Sequence, residues 1–480
     1  MKSSKRNMKN NVALEQNLLS IFVFLYGILL WPFENAATIF VVPRLIILGL
    51  FIAILPVVRM ASQKDARLLD LPKALLGQPR YVFFLLAFIA SVVPSVLLSP
   101  DPGHAWFGSQ NFQTGGMFII LASLTFWIYS TGPKVPRFGL ISLIIVLNII
   151  TIVEYLGFRP LDFVTSVFHP LSTSFPAATV SHRGQLAGLL LLLAILPLYW
   201  FKGDYTNWKF FALFALAVAG LGCTTNSTAL IALAVTICIL IFTQFKLLRW
   251  KSLIILIIAI LSYNSYQYLK PVNNYFQNIG WVRVKSESKD AENTITFSTR
   301  LLLWEAATRM TLARPVFGWG PQTYNQYWFT YLPKAKADQL FRLELGLKPG
   351  QKMVRMNDSA AYKLPNGKTQ PVVLNYLSSH SGYLDLAYGQ GLVGILLFLA
   401  LAISVLIHLY KLSGNFFIYA FLPVLAYGVY LAAWFITVPV TGIAVIVFGM
   451  IVNNATPKTC IIEHKSSISL SEIPVSKRIL

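Results

Sequence analysis

YLDLAYGQGLVGILLFLALAISVLIH, residues 383–408, holds one carboxylate and one imidazole in an otherwise apolar run. About 20 apolar residues suffice to cross a bilayer as a helix, so this stretch reads as a membrane span. Comparable runs lie at 17–34, 37–58, 81–99, 115–131, 138–157, 184–201, 208–223, 227–244, 252–269, 415–436 and 438–455. The composition agrees. Hydrophobic residues make up 56% of the 480 residues and charged residues only 12%, against about 25% charge in soluble chains. Mean hydropathy is +0.63. The expected fold is an all-α, polytopic membrane helix bundle of about twelve spans. The Pro and Gly inside several spans are tolerable where neighbouring helices satisfy the backbone.

The charges orient the bundle. Lysine and arginine number 39 against 18 acids, a formal +21. Lys2, Lys5, Arg6 and Lys9 precede the first span, and Arg59, Lys64, Arg67, Lys73 and Arg80 follow the second. Lys134 with Arg137, Lys202 with Lys209, Lys246 with Arg249 and Lys251, then Lys411, occupy the later alternate loops, and Lys458, Lys465, Lys477 and Arg478 the tail. A twelve-span arrangement puts all of these on one side. The short loops of the other side carry only Arg159 and Arg183. The excess of cations in cytoplasmic loops therefore predicts that both termini are cytoplasmic. The basic amino terminus, with no evident small-residue cleavage site, reads as leading into a first span, not as a removed signal peptide. Cys223, Cys238 and Cys460 give neither a disulfide framework nor a zinc-ligand spacing.

One connection is long. Residues 270–382, between spans nine and ten, form an expected extracytoplasmic loop domain, because a structureless loop of that length is improbable. The implied organisation is an N-terminal bundle of nine spans (1–269), this loop domain, a C-terminal bundle of three spans (383–455) and a cytoplasmic tail (456–480). Within the loop, FSTRLLLWEAATRMTLA (297–313) predicts a helix. Ser298 or Thr299 is the expected cap, and Glu305 and Arg309 form an i,i+4 pair. Pro315, Gly318 and Gly320 then end the helix.

A net-positive loop lying on a membrane attracts anionic headgroups or, more specifically, a phosphate-bearing lipid that an arginine fork can grip. Arg300 and Trp304 share a helical face there. His380 stands where the loop re-enters the bilayer, with Tyr383 and Asp385 just beyond. An imidazole in that position reads either as an interfacial anchor or as a base that is neutral near physiological pH. The Asp385 carboxylate must face the bundle interior. Arg44 in span two and Glu154 in span five are costly charges that line a cavity or find partners, each other included. Arg183, after His182, opens span six on the outer side. No Asp-x-Asp, HExxH, P-loop or dinucleotide fingerprint occurs. No metal, cofactor or nucleic-acid partner is therefore expected, and the energy must come from an activated substrate.

Four stretches carry a resemblance: LLSPDPGHAWFGSQNFQTGGMF (97–118), HRGQLAGLLLLLAILPL (182–198), STRLLLWEAATRMTLARPVFGWGPQTYNQYW (298–328) and SHSGYLDLAYGQGLVGILLF (379–398). In their order they resemble the O-antigen ligase and polymerase superfamily, membrane glycosyltransferases of GT-C-like architecture. The resemblance implies glycan transfer from a polyprenyl-diphosphate carrier to an acceptor hydroxyl, without metal, at the outer face of a bacterial cytoplasmic membrane. His380 would activate the acceptor and Arg300 would hold the diphosphate. Many members have Ser-Arg at the turn between spans seven and eight. Here that turn reads CTTNSTAL (223–230), with no arginine, and Arg183 or Arg44 would substitute. Ligation to a lipid core, polymerisation and transfer to a protein hydroxyl are not distinguished. A lipid-linked oligosaccharide transporter or a membrane scaffold remain the readings outside enzymology. A transporter commonly shows internal repeats and midplane substrate residues, whereas here the distinctive polar residues crowd the outer face.

Overall fold

The computed structural model describes residues 2–30, 40–62, 79–110, 112–158, 176–180, 182–201, 207–278, 297–344, 353–355, 359–363 and 369–456. The expected cytoplasmic tail beyond 456, Arg159 and most of the cationic connection at 59–80 lie outside them. In chain order the helices begin with α1 (Lys2–Ile28), α2 (Val42–Ser62), α3 (Arg80–Leu97), α4 (Pro102–Phe107), α5 (Gly116–Thr131) and α6 (Phe138–Tyr155). Then come α7 (Arg183–Phe201), α8 (Trp208–Cys223), α9 (Ser227–Tyr263), α10 (Ser265–Asn278), α11 (Phe297–Ala313), α12 (Tyr324–Tyr331) and α13 (Lys334–Glu344). Three short strands follow, β1 (Met353–Arg355), β2 (Ser359–Lys363) and β3 (Thr369–Val373), before α14 (Gly382–Ser413), α15 (Phe417–Ala432) and α16 (Val438–Ala455).

This is a membrane protein of apolar helices. Among the described residues, five helical segments are both long and apolar enough to cross a bilayer: Arg80–Leu97, Phe138–Tyr155, Arg183–Trp200, Gly382–Ser413 and Val438–Ala455. Six shorter apolar helices accompany them. Residues 265–269 open α10, while 227–244 and the first part of 252–269 lie on one continuous helical trace, α9. A straight helix of its 37 residues would be about 55 Å long. Yet a Cβ added to Gly222, five residues before the start of α9, would collide with the carbonyl of Tyr263 at its end. The chain therefore reverses within α9.

Helix α7 sits at the centre. LAGLLLLLAILPL is apolar on every face, and a helix of that kind must be enclosed on all sides. Leu186 through Ile195 are buried throughout. α8, α15 and α16 pack around it. A second apolar core joins α11, α12 and α13 through Leu303, Met310, Trp328 and Leu340, and reaches Tyr388 of α14. A third ties α3 and α4 to α5 and α14 through Val92, Ala105 and Leu386.

Two expectations need correction. The described fold is not purely α: β1, β2 and β3 form an antiparallel sheet in that order, with Val354 opposite Ala361 and Ala361 opposite Pro371. Asn366-Gly367 lies between the paired β2 and β3, a dipeptide that favours tight hairpin turns, and it was the available signal. The predicted helix over 297–313 matches α11 at both ends, but neither Ser298 nor Thr299 caps it. Both lie inside its first turn, and Thr299 Oγ1 instead donates to Glu344 Oε1 of α13 at 3.0 Å. The Glu305–Arg309 pair does form, at 3.1 Å, and Lys336 joins the same carboxylate.

Candidate functional site

The site begins with a break in α14. Gly391 adopts φ +69°, ψ −170°, which interrupts the helical ladder and leaves backbone groups to be satisfied. The segment after α11 supplies the partners. Trp319 N donates to Tyr388 O at 2.8 Å and Gly320 N to Gly389 O at 2.9 Å, while Pro315 O and Val316 O accept from Leu392 N and Val393 N. A Cβ at Gly318 would strike the Tyr388 carbonyl, and one at Gly391 would strike that of Val316. The glycines of PVFGWG and of GQGLVG thus permit two backbones to lie in contact, which explains why the two motifs occur together.

The connection between α3 and α5, which contains α4, is stitched to the same segment. Asp101 caps α4 by accepting from His104 N at 3.0 Å, with Pro102 at the first helical position. The other Asp101 oxygen accepts from Gln326 Nε2. His104 Nε2 meets Gln322 O, and Gln322 Oε1 accepts from Ser109 N and Thr114 N, each at 3.0 Å. Arg314 donates to Leu98 O and covers the Trp319 ring at 4.6 Å. These contacts fix the loop region at the mouth of the bundle.

His380 lies immediately before α14. Its φ of +60° is unusual for a residue with a Cβ, and strain of this kind persists only when the surroundings impose it. They do so here. His380 N donates to Ser378 Oγ at 3.2 Å, and Asp385 Oδ1 accepts from both Ser379 N (2.9 Å) and Ser379 Oγ (2.7 Å). Asp385 therefore braces the turn that presents the imidazole. Tyr383 works outward from the site, donating to Gly428 O of α15 at 2.9 Å. The His380 ring stands edge-on to Phe435 at 5.2 Å and to Trp434 at 5.9 Å, and its Nδ1 is enclosed without a partner among the described residues. Burial, reinforced by the charge of Arg300 and by His182, pushes its pKa down to about 3. The imidazole is neutral at physiological pH, and bound negative charge near Arg300 would raise its basicity.

Arg300, on α11, reaches across to the membrane helices. Its Nη1 donates to Thr228 Oγ1 at 3.3 Å, so it touches the first turn of α9, beside the CTTNSTAL turn where an arginine was missing. Asn226 in that turn is spent on capping α9, accepting from Ala229 N at 3.0 Å. Burial lowers the Arg300 pKa, with Tyr430 of α15 acting oppositely. The guanidinium nevertheless remains a cation. Its Nε and the indole Nε1 of Trp304, one turn along, are buried without acceptors among the described residues. Tyr430 in turn donates to Gly184 O in the first turn of α7, next to Arg183. His182 precedes that helix and accepts from Gly184 N through Nδ1 at 3.0 Å, and its ring lies 5.7 Å from Trp434. His380, Arg300, His182 and Trp434 are thus one cluster, with Arg183 at its edge.

Arg44 is placed differently. It is 0% exposed, and Nε, Nη1 and Nη2 donate to the carbonyls of Tyr26, Phe40 and Gly27, with Thr179 Oγ1 as a further partner. It seals the junction of α1 and α2. Glu154 does not pair with it, and accepts instead from Ala177 N and Ala178 N at 2.9 and 2.8 Å. Sequence reasoning passed over Trp434 and Thr228. A tryptophan near the end of the expected span 415–436 was a visible signal for the former, and a lone threonine gives none.

Residues 212–341, from within α8 to within α13, match the family described as O-antigen ligase. The resemblance read from the motifs stands over this stretch, which contains Thr228, Arg300 and Trp304. No curated protein matches the chain.

Proposed function

We propose that the protein is a glycosyltransferase of surface-polysaccharide assembly. It moves a glycan from a polyprenyl-diphosphate carrier to an acceptor hydroxyl at the outer face of a bacterial cytoplasmic membrane, with both termini inside and residues 270–382 as its extracytoplasmic domain. The observation that carries this reading is the meeting of a neutral, backbone-strained His380 with the under-coordinated cation Arg300, at the junction of loop and membrane helices. The O-antigen ligase match over 212–341 supports it.

In this reading Arg300 grips the diphosphate, helped by Arg183 and the positive end of α7. His380 accepts the acceptor O–H proton as the oxygen attacks the anomeric carbon. The bond from that carbon to the phosphate oxygen breaks, and polyprenyl diphosphate leaves with the electron pair. Attack from the opposite side inverts the anomeric centre. Positioning and cationic stabilisation of the leaving oxygen lower the barrier, and general-base assistance contributes about 10²–10⁴-fold. Asp385 and Tyr383 hold the geometry, while Trp304 lines the approach beside Arg300. Lipid, glycan and protein hydroxyls all remain acceptors under this chemistry.

The test is transfer from a polyprenyl-diphosphate glycan by the full-length protein in proteoliposomes. Wild type should transfer, and His380→Ala should lose at least 10²-fold in turnover while still binding the carrier. Near wild-type turnover in that variant would refute the assignment.

A further inference from the structure

The cluster contains a donor that the reaction above does not use. Trp434 is 5% exposed, and its indole Nε1 has no acceptor among the described residues. Leaving such a donor unmet costs roughly 1–3 kcal/mol, so a fold that fixes it there calls for a reason. The ring cannot swing away to find a partner. It stacks on Phe435 at 5.2 Å and 17°, lies tilted against Tyr430 at 6.1 Å, and receives the edge of His380. Its own backbone carbonyl accepts from Gly382 N at 2.8 Å. The six-membered ring of the indole lies over Gly184, whose notional Cβ would come within 3.0 Å of Cε2, the carbon bonded to Nε1, and closer to Cζ2 and Cη2. Only a glycine leaves room for it.

The surroundings specify the missing acceptor. Gly184 belongs to the first turn of α7, a helix of 19 residues whose amino end carries partial positive charge. Arg183 stands in the same turn, and Arg300 lies close enough to act electrostatically on both Tyr430 and His380. Arg300 Nε and Trp304 Nε1 also lack acceptors among the described residues. An N–H donor held beside a helix amino terminus and a guanidinium suits an anionic oxygen.

We propose that the Trp434 indole N–H is a further ligand-binding donor, which hydrogen-bonds a phosphate oxygen of the carrier diphosphate together with Arg300. This rests on the glycosyltransferase reading and adds a residue from the turn between α15 and α16 to the leaving-group site. A neutral, rigid donor supplies direction where a cation supplies charge, which would favour one orientation of the diphosphate.

The experiment titrates polyprenyl diphosphate into the full-length protein in zwitterionic-lipid nanodiscs, comparing wild type with Trp434→Phe. Phenylalanine keeps most of the aromatic stacking and deletes the donor. The expected result is about tenfold weaker binding, equivalent to about 1.4 kcal/mol, with an unchanged melting temperature and a smaller change in turnover at saturating donor. Equal affinity in the two proteins would overturn the inference and leave the glycosyltransferase reading intact. Failure of wild type to bind polyprenyl diphosphate would overturn that reading and this inference with it. Should W434F not fold, the sulfur isostere benzothienylalanine at position 434 removes the donor with the bicyclic ring retained, and the same two results decide.

Discussion

Arg44 and Arg300 are both arginines enclosed by apolar helices, and the fold treats them in opposite ways. Each of the three nitrogens of Arg44 donates to a main-chain carbonyl, and no part of the residue is accessible. Among the described residues, Arg300 donates at 3.3 Å to Thr228 and has an Nε without an acceptor. A buried cation is costly unless its donors are met. Full satisfaction marks Arg44 as part of the framework. Incomplete satisfaction beside a strained histidine is what the proposed role of Arg300 in gripping the diphosphate rests on.

The comparison breaks most visibly at Arg44. Arg44→Gln should cost about 3 kcal/mol or more, because it strands the buried carbonyls of Tyr26, Gly27 and Phe40, and thermal unfolding in detergent would show it. The surviving folded protein should keep its affinity for the carrier lipid. A weakened affinity at full stability would place Arg44 in the ligand site after all.

His380 gives a second, smaller handle through pH. Its folded pKa is depressed to about 3, below the ordinary value of about 6.5. Between those values the unfolded chain binds the proton and the folded one does not. Stability is therefore lost as pH falls from 6.5 towards 3 and recovered as it rises. The gap in melting temperature between wild type and His380→Gln should move against wild type on acidification. A constant gap would mean that the imidazole is not held neutral by its site.

The smallest effect is expected at Thr228. Thr228→Val removes the hydrogen bond from Arg300 Nη1, worth about 0.5 kcal/mol at that length, with no measurable change in fold. KM for the donor should rise about twofold, read from initial rates with kcat unchanged. A loss of kcat instead would show that Thr228 does more than steady the guanidinium.

How far these features were legible differs by the range of the interaction. Helix α11 was readable to its ends because its composition, its ion pair and the breakers after it are local. The enclosure of α7 was readable because LAGLLLLLAILPL has no polar face. The His380 imidazole and the Arg300 cation stood out at a membrane boundary, but their proximity did not, since it depends on how α11 docks across α14. The docking rests on backbone bonds from Trp319 and Gly320 to Tyr388 and Gly389, and main-chain pairing leaves only glycines in the sequence. The strands β2 and β3 were missed although Asn366-Gly367 lay between them. Trp434 was invisible as a donor because only its packed surroundings reveal that the indole has no acceptor among the described residues.

The contrast between the two arginines is tested most directly by titrating polyprenyl diphosphate into Arg300→Gln and wild-type protein reconstituted alike. The account predicts at least a tenfold loss of affinity with the melting temperature held. Undiminished affinity in Arg300→Gln would contradict it.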